Sequence, residues 1–379
     1  LAAGALPGEP RDDNRIAITA AVRHREAWER LEVAWEALSE QFAAVGRVGS
    51  QCLGVLNGAL DTETAAPHAA ELDGALAELG RLRLVGQQFV EGTDEETIRW
   101  AERDRDGAGS LHLAPLEVGP RLWDVLFGKL RVVVATSATL KAGRDMSFAA
   151  RRIGLEAPEM LELGSPFDYR RAALLALVEG LPEPNAPGFA EGLAGAIAEL
   201  AQASQGRAIA LFTSNALLSR VAELVRPRME QLGIVTLAQG IDGTPRWMVE
   251  QLRSQPATLL LGSASFWEGV DIRGDALSLV MITRLPFDVP SDPVARARAE
   301  QYPNPFIDYQ LPTAVLRFRQ GFGRLIRHRD DCGVVAVLDR RLWEKRYGRA
   351  FIEALPECSR VAGPPRAVAR AVAEWLDGA

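Results

Sequence analysis

The residues Arg317-Phe-Arg-Gln-Gly-Phe-Gly-Arg-Leu-Ile-Arg327, followed by Gly333-Val-Val-Ala-Val-Leu338, read as a helix that feeds an unbroken apolar strand. Working outward, the same texture recurs. Short apolar runs at Arg131–Thr136, Ala172–Val178, Arg207–Phe212, Ile234–Ala238, Thr258–Leu261 and Leu277–Thr283 predict further strands. Helical patterns at 189–204, 215–231, 244–254 and 310–328 lie between most of them. Strand–helix alternation of this kind predicts an α/β fold, a parallel sheet with helices on both faces. The first hundred or so residues differ. Trp28, Leu31, Trp35, Leu38, Phe42 and Val45 recur in steps of three and four, and Leu72, Leu76, Leu79, Leu82 and Phe89 suggest a partner helix. Two short strands are expected after them, at Thr97–Trp100 and Ser110–Pro115.

The opening stretch also carries chemistry. If it is helical, Gln320, Arg324 and Arg327 stand at i, i+4 and i+7 and share one face. Guanidiniums stay charged and present planar forks that match phosphate oxygens. The competing reading is a solvated basic face on a surface helix.

Composition bounds the partners. The chain has 379 residues, 47% hydrophobic and 25% charged, with a net charge of −7. That length predicts two or three domains, and the acidic balance argues against a DNA-coating protein while leaving room for a local arginine-lined channel. No run approaches a membrane span and no signal peptide is visible, so the cytoplasm is the expected compartment. Cys52, Cys332 and Cys358 are far apart and form no C-x-x-C pair, so neither a zinc nor an iron–sulfur site is expected from this chain alone.

Polar clusters follow several predicted strands, where open parallel sheets meet their ligands. They are Thr136-Ser-Ala-Thr139, Thr213-Ser-Asn215 and Gly262-Ser-Ala-Ser-Phe-Trp-Glu-Gly-Val-Asp271. Taken singly, each serves equally as a cap for the next helix. Their recurrence after successive strands points to a shared edge.

Together these segments resemble the carboxyl-terminal half of a superfamily 2 helicase of the DinG branch, in the XPD-like group. Ala135-Thr-Ser-Ala-Thr-Leu140 resembles that family's third motif and Leu211-Phe-Thr-Ser-Asn215 its fourth. Phe266-Trp-Glu-Gly-Val-Asp-Ile272 with Leu285-Pro-Phe287 resembles the fifth, and Gln320-Gly-Phe-Gly-Arg-Leu-Ile-Arg327 the sixth. The last two, in that order and spacing, are the specific ones, and the similarity runs from about residue 95 to 345.

The resemblance implies an ATP-dependent helicase that moves along single-stranded DNA, 5′ to 3′, in repair or replication. By position, Arg324 and Arg327 are implied arginine fingers and Gln320 sets their geometry. Glu268, Gly269 and Asp271 approach the nucleotide. Thr136, Ser137 and Thr139 couple nucleotide state to DNA grip, and Ser214, Asn215 and Trp267 are candidates to line the strand. The implied fold is a RecA-like parallel sheet preceded by a mostly helical arch-type module. The expected divisions are 1–117 as the arch module, 118–160 as a strand and linker of the first RecA-like domain, and 161–379 as the second. The implied partners are single-stranded DNA and the protein's own first RecA-like domain; oligomeric state is open.

Two features depart from the family pattern. No G-x-x-x-x-G-K-[ST] loop is present, since Gly128-Lys129 is followed by Leu130. Asp94-Glu-Glu96 ends no apolar strand, so no Walker B pair is visible either. The expectation is a chain beginning inside the arch insertion, with ATP and Mg²⁺ held mainly by a first domain upstream and any iron–sulfur cluster also outside it. No metal site is expected within these residues, and the chain alone is expected to be inactive. A non-catalytic nucleic-acid-binding or partner-docking module is the alternative. A dinucleotide enzyme, suggested by Gly321-Phe-Gly323, fails because that pair follows no strand.

Overall fold

The computed structural model describes residues 15–58, 62–103, 107–142, 146–184, 186–255, 257–267, 276–326, 328 and 331–378. They fall into two compact units, one formed by residues up to Val118 together with Val289–Tyr302, the other by Gly119–Asp288 and Pro303 onward.

The first unit is a helical hairpin on a small sheet. The helices Glu26–Asn57 and Thr62–Val90 pack along one another. Gly49 and Gly86 let them approach: a Cβ at Gly49 would meet the Leu76 side chain, and one at Gly86 would meet the Trp35 ring. The apolar centre is Trp28, Phe89 and Val90, flanked by Leu31, Trp35 and Leu113. Strands β1 (Arg15–Ala17), β2 (Thr97–Arg103) and β3 (Gly109–Pro115) form an antiparallel sheet in the order β1-β2-β3. Two guanidiniums grip the carbonyls at the end of the second helix. Arg23 donates to Val90 O at 2.9 Å and Gly92 O at 2.7 Å, and buried Arg99 donates to Gln88 O at 3.0 Å. Cations there meet the negative end of the helix dipole and satisfy carbonyls that have no helical partner.

Residues 289–302 belong to this unit and not to the continuous 161–379 domain expected from sequence. Asp292 caps the helix Pro293–Ala299 by accepting from Ala295 N at 2.8 Å. Arg298 from that helix donates to Leu116 O and Pro115 O, both at 3.1 Å, and Arg15 pairs with Asp292 at 2.9 Å. Those polar ties hold the excursion, and no apolar period in 289–302 announced them.

The second unit is built on seven parallel strands. They are β4 (Ala173–Val178), β5 (Ala208–Leu211), β6 (Val235–Ala238), β7 (Thr258–Gly262), β8 (Leu279–Ile282), β9 (Gly333–Val337) and β10 (Ser359–Gly363). Their order is β10-β4-β9-β8-β5-β7-β6. Apolar runs without alternation are what a sheet buried on both faces requires, and successive side chains divide between two cores. Leu174, Ala176, Ala208, Ala210, Val334 and Ala336 face the helices Phe189–Ala203, Asn215–Gln231 and Pro365–Asp377. Ala173, Leu175, Ile209, Leu211, Val335 and Val337 face Phe266, Trp267, Phe318, Phe322 and Phe351.

Three expectations need correction. Residues 131–136 form no strand; Val132 and Val134 stand 75% and 79% exposed. A strand needs a neighbour for its ladder, and none of the described residues pairs with this one. The helix expected over 310–328 runs only Leu311–Phe322, after a π-helical turn at Pro305–Gln310. Gly321 and Gly323 weaken it, and the adjacent residues Leu325 and Ile326 are both buried, which suits a turn better than one helical face. Finally, β10 and the helix Pro365–Asp377 complete the sheet where no element was expected.

Candidate functional site at the carboxyl edge of the sheet

All seven strands end at one edge, and the polar segments that follow them interlock there. After β5, the Phe212 carbonyl accepts from the Trp267 indole N–H at 3.2 Å. After β6, Gln239 Oε1 accepts from Ser263 N at 2.7 Å and from Ser263 Oγ at 3.2 Å, tying that strand's end to the end of β7. After β8, the fully buried Thr283 hydroxyl donates to Leu211 O at 2.8 Å. After β9, Asp339 is 0% exposed and accepts from Leu285 N at 2.8 Å and from Arg341 N and Nε, both at 3.0 Å.

Arg324 reaches this edge. Its Nη2 donates to Trp267 O at 2.6 Å. Because the helix stops at Phe322, Arg324 lies in the following turn, its N–H bonded to Gly321 O at 3.2 Å, and it does not continue the face that carries Gln320. Gly321 lies between the two and packs on Trp267, whose ring a Cβ would meet at 2.8 Å. Gln320 Oε1 is buried and accepts no hydrogen bond from the described residues. A buried acceptor without a donor is costly.

The other expected residues divide. Ser214 is an N-cap: its hydroxyl accepts from Leu217 N at 3.4 Å, and Asn215 opens the helix beyond it in an exposed position. Thr136 and Ser137 are exposed, and Ser137 Oγ accepts from Thr139 N at 3.1 Å within the turn they share. Trp267, the aromatic candidate to line a strand path, is buried. It is 5% exposed, in the core beside Phe266, with its indole N–H already engaged. An aromatic ring offered to a base must present its face, and this one faces Gly321. Glu268, Gly269, Asp271 and Arg327 lie outside the described residues.

Four residues passed unremarked in the sequence. Asp339 was legible as an acid directly after a buried apolar strand, Leu338-Asp-Arg-Arg341. Arg341 is the partner that satisfies it; burial works against the guanidinium, but the hydrogen bond and charge of Asp339 hold its pKa above the ordinary arginine value. Arg284, beside them, has its pKa lowered by burial and then by the charge of Arg341. Its guanidinium carbon sits 4.9 Å from the Phe189 ring centroid, a cation–π contact. The fourth is Arg319, which donates to Lys141 O and Ala138 O. Nothing in the residue pattern singled it out. Among the described residues, no group of three or more His, Cys, Asp or Glu side chains is arranged to hold a metal ion, and no helix is long and apolar enough to cross a membrane.

The family described as "Helicase C-terminal domain" matches residues 197–358, which span the strands from β5 to β9 and the interlocked edge. Residues 197–358 thus carry a helicase C-terminal domain, and the chain is similar to DinG and YoaA proteins. It is 41% identical over 267 residues to the ATP-dependent DNA helicase YoaA of Escherichia coli (strain K12), covering 69% of this chain and 41% of that one. It is 37% identical over 286 residues to the 3′-5′ exonuclease DinG of Bacillus subtilis (strain 168), covering 72% and 31%. It is 38% identical over 275 residues to the ATP-dependent helicase DinG of Mycobacterium tuberculosis (strain ATCC 25618 / H37Rv), covering 69% and 40%. The chain therefore spans about two-fifths or less of the length of these relatives. A solved structure titled "XPD_Helicase" overlays with a TM-score of 0.54 at 17% identity, covering 82% of this chain and 55% of that one. At that identity the likeness is one of fold, and it agrees with the RecA-like sheet of the helicase C-terminal domain.

Proposed function

We propose that this chain is the part of an ATP-dependent DNA helicase that presents cationic groups to a nucleotide held by a first RecA-like domain. The observation that carries the reading is Arg324, set by the turn after Phe322 against the carbonyl of Trp267 at the carboxyl edge of the sheet. A guanidinium there stabilises negative charge that builds on a transferring phosphoryl group. Arg327, three residues on, is its companion finger. Gln320 fits beside it, because its buried Oε1 lacks a donor among the described residues. Glu268, Gly269 and Asp271 approach the same nucleotide. ATP and Mg²⁺ are bound mainly by the first domain, where the metal ion supplies charge neutralisation to the phosphates. This chain contributes orientation and positive charge when the two domains close.

Single-stranded DNA is the polymer proposed to move, 5′ to 3′, in repair or replication. Exposed Thr136, Ser137 and Asn215, with Ser214 as the cap that aims Asn215, are the proposed contacts and coupling groups on this chain. Trp267 is excluded from that set by its burial and serves as the anchor for Arg324.

In the intact gene product, Arg324→Ala is expected to lower ATP turnover by about 10³-fold or more, the low end of what arginine fingers contribute. Binding of a fluorescent ATP analogue is expected to survive. Turnover within a few-fold of wild type, measured by phosphate release on single-stranded DNA, refutes the role. Loss of nucleotide binding together with turnover points instead to a collapsed edge.

A further inference from the structure

The turn Thr136-Ser-Ala-Thr139 and the helix Leu311–Phe322 are far apart in sequence, yet one side chain joins them. Arg319 Nη1 donates to Lys141 O at 2.6 Å, and Nη2 donates to Ala138 O at 3.3 Å. Two prongs of one planar fork thus bracket the outside of the turn. Its inside is closed by Ser137, whose hydroxyl accepts from Thr139 N at 3.1 Å and lies 3.3 Å from Thr139 Oγ1. The far end is fixed as well, since Lys141 Nζ donates to both carboxylate oxygens of Glu162 at 2.8 Å.

On the helix, Phe318 and Phe322 face the sheet core, which leaves Arg319 on the flank, one residue from Gln320. Burial lowers the pKa of Arg319, with the charge of Glu162 working in the opposite direction. The guanidinium has given up part of its water for two neutral carbonyls, a trade justified by position rather than by charge pairing. A lysine cannot reproduce it: one ammonium has no planar fork to span carbonyls three residues apart.

We infer that Arg319 is a positioning residue that ties the Thr136–Thr139 turn to the helix carrying Gln320, so that a shift of either is passed to the other. The inference deepens the helicase reading and rests on it for its consequence in turnover. The tie itself is a matter of geometry and can be tested separately.

The experiment compares Arg319→Ala, Arg319→Lys and, as a charge control, Arg317→Ala in the intact gene product. Arg317 pairs with Asp288. The first readout is amide hydrogen exchange in a peptide covering 136–141. Loss of the fork is expected to speed exchange there about tenfold in both Arg319 variants and not in Arg317→Ala. Unchanged protection in Arg319→Ala overturns the inference. The second readout is the ratio of ATP hydrolysis with single-stranded DNA to that without, expected to fall about tenfold in both Arg319 variants. A ratio restored by lysine, or the same fall in Arg317→Ala, shows that charge and not the fork matters, and overturns it. Should the wild-type protein show no DNA-stimulated hydrolysis, the helicase reading fails while the exchange arm still decides the tie. If Arg319→Ala melts early, Arg319→Lys carries the comparison.

Discussion

The hairpin of the first unit and the sheet of the second are both rich in aliphatic residues, yet they use them differently. Along the hairpin, Val33, Val45, Val48 and Val55 stand open, and the buried centre is small: Trp28, Phe89 and Val90. In the sheet, neighbouring strand residues are sent to opposite faces and nearly all are covered. Two helices lying side by side can hide only the seam between them, whereas a parallel sheet hides both faces of every strand once helices flank it. The lesson is one of layers. Apolar content sets how much can be buried, and the number of layers sets how much is.

The contrast can be broken at either end. The largest stability effect is expected at Asp339→Ala, which leaves Leu285 N without its acceptor and Arg341 without its counter-charge. A loss of about 3–5 kcal/mol is expected, as for a buried pair deprived of one partner, seen as a lower denaturant midpoint. A loss below about 1 kcal/mol would mean that water already reaches the carboxylate. Next comes Trp267→Leu, which removes buried ring volume and the bond to Phe212 O, at a cost of about 2–3 kcal/mol. Its affinity for single-stranded DNA is expected to hold within about twofold, against the roughly fivefold or greater loss that removing a stacking platform gives. A large loss of DNA affinity without a loss of stability returns Trp267 to the strand path. The smallest effects are expected in the hairpin, where Val33→Ser and Val55→Ser each change stability by no more than about 0.5 kcal/mol. A marked destabilisation from either would show that a partner covers that face in solution.

The parts of the fold legible from residues alone were those written in continuous runs. Six of the seven strands could be placed because an apolar stretch such as Thr258-Leu-Leu-Leu261 has no other reading between two turn signals. The seventh, Ser359-Arg-Val-Ala-Gly363, is an edge strand with mixed polarity, and its pairing with β4 could not be seen locally. Val368 and Val372, at i and i+4 after Pro364-Pro365, were a usable sign of the helix beyond it. The segment 131–136 shows the reverse failure. Its composition is strand-like, but pairing is a property of the neighbour as much as of the run.

At the site, residue types were easier to read than their setting. Spacing predicts Gln320 and Arg324 on a common helical face, but the helix ends between them and only Arg324 is seen to bond Trp267, from the following turn. The resemblance implies Trp267 as a candidate to line the strand, and its ring packs against Gly321. The contribution of Asp339 was hidden because a lone acid after a strand declares its role only when the donors around it are known. Arg319 left no trace in the pattern at all.

That last case has a consequence for how such a chain can vary. Both carbonyls gripped by Arg319 belong to the main chain, at positions 138 and 141, and every amino acid supplies the same oxygen. Substitution at either position can therefore leave the tie standing, and no compensating change at 319 would be demanded. A search for paired substitutions across relatives would pass over the contact, while persistence of arginine at 319 beside freely drifting residues at 138 and 141 would be its only inherited signature.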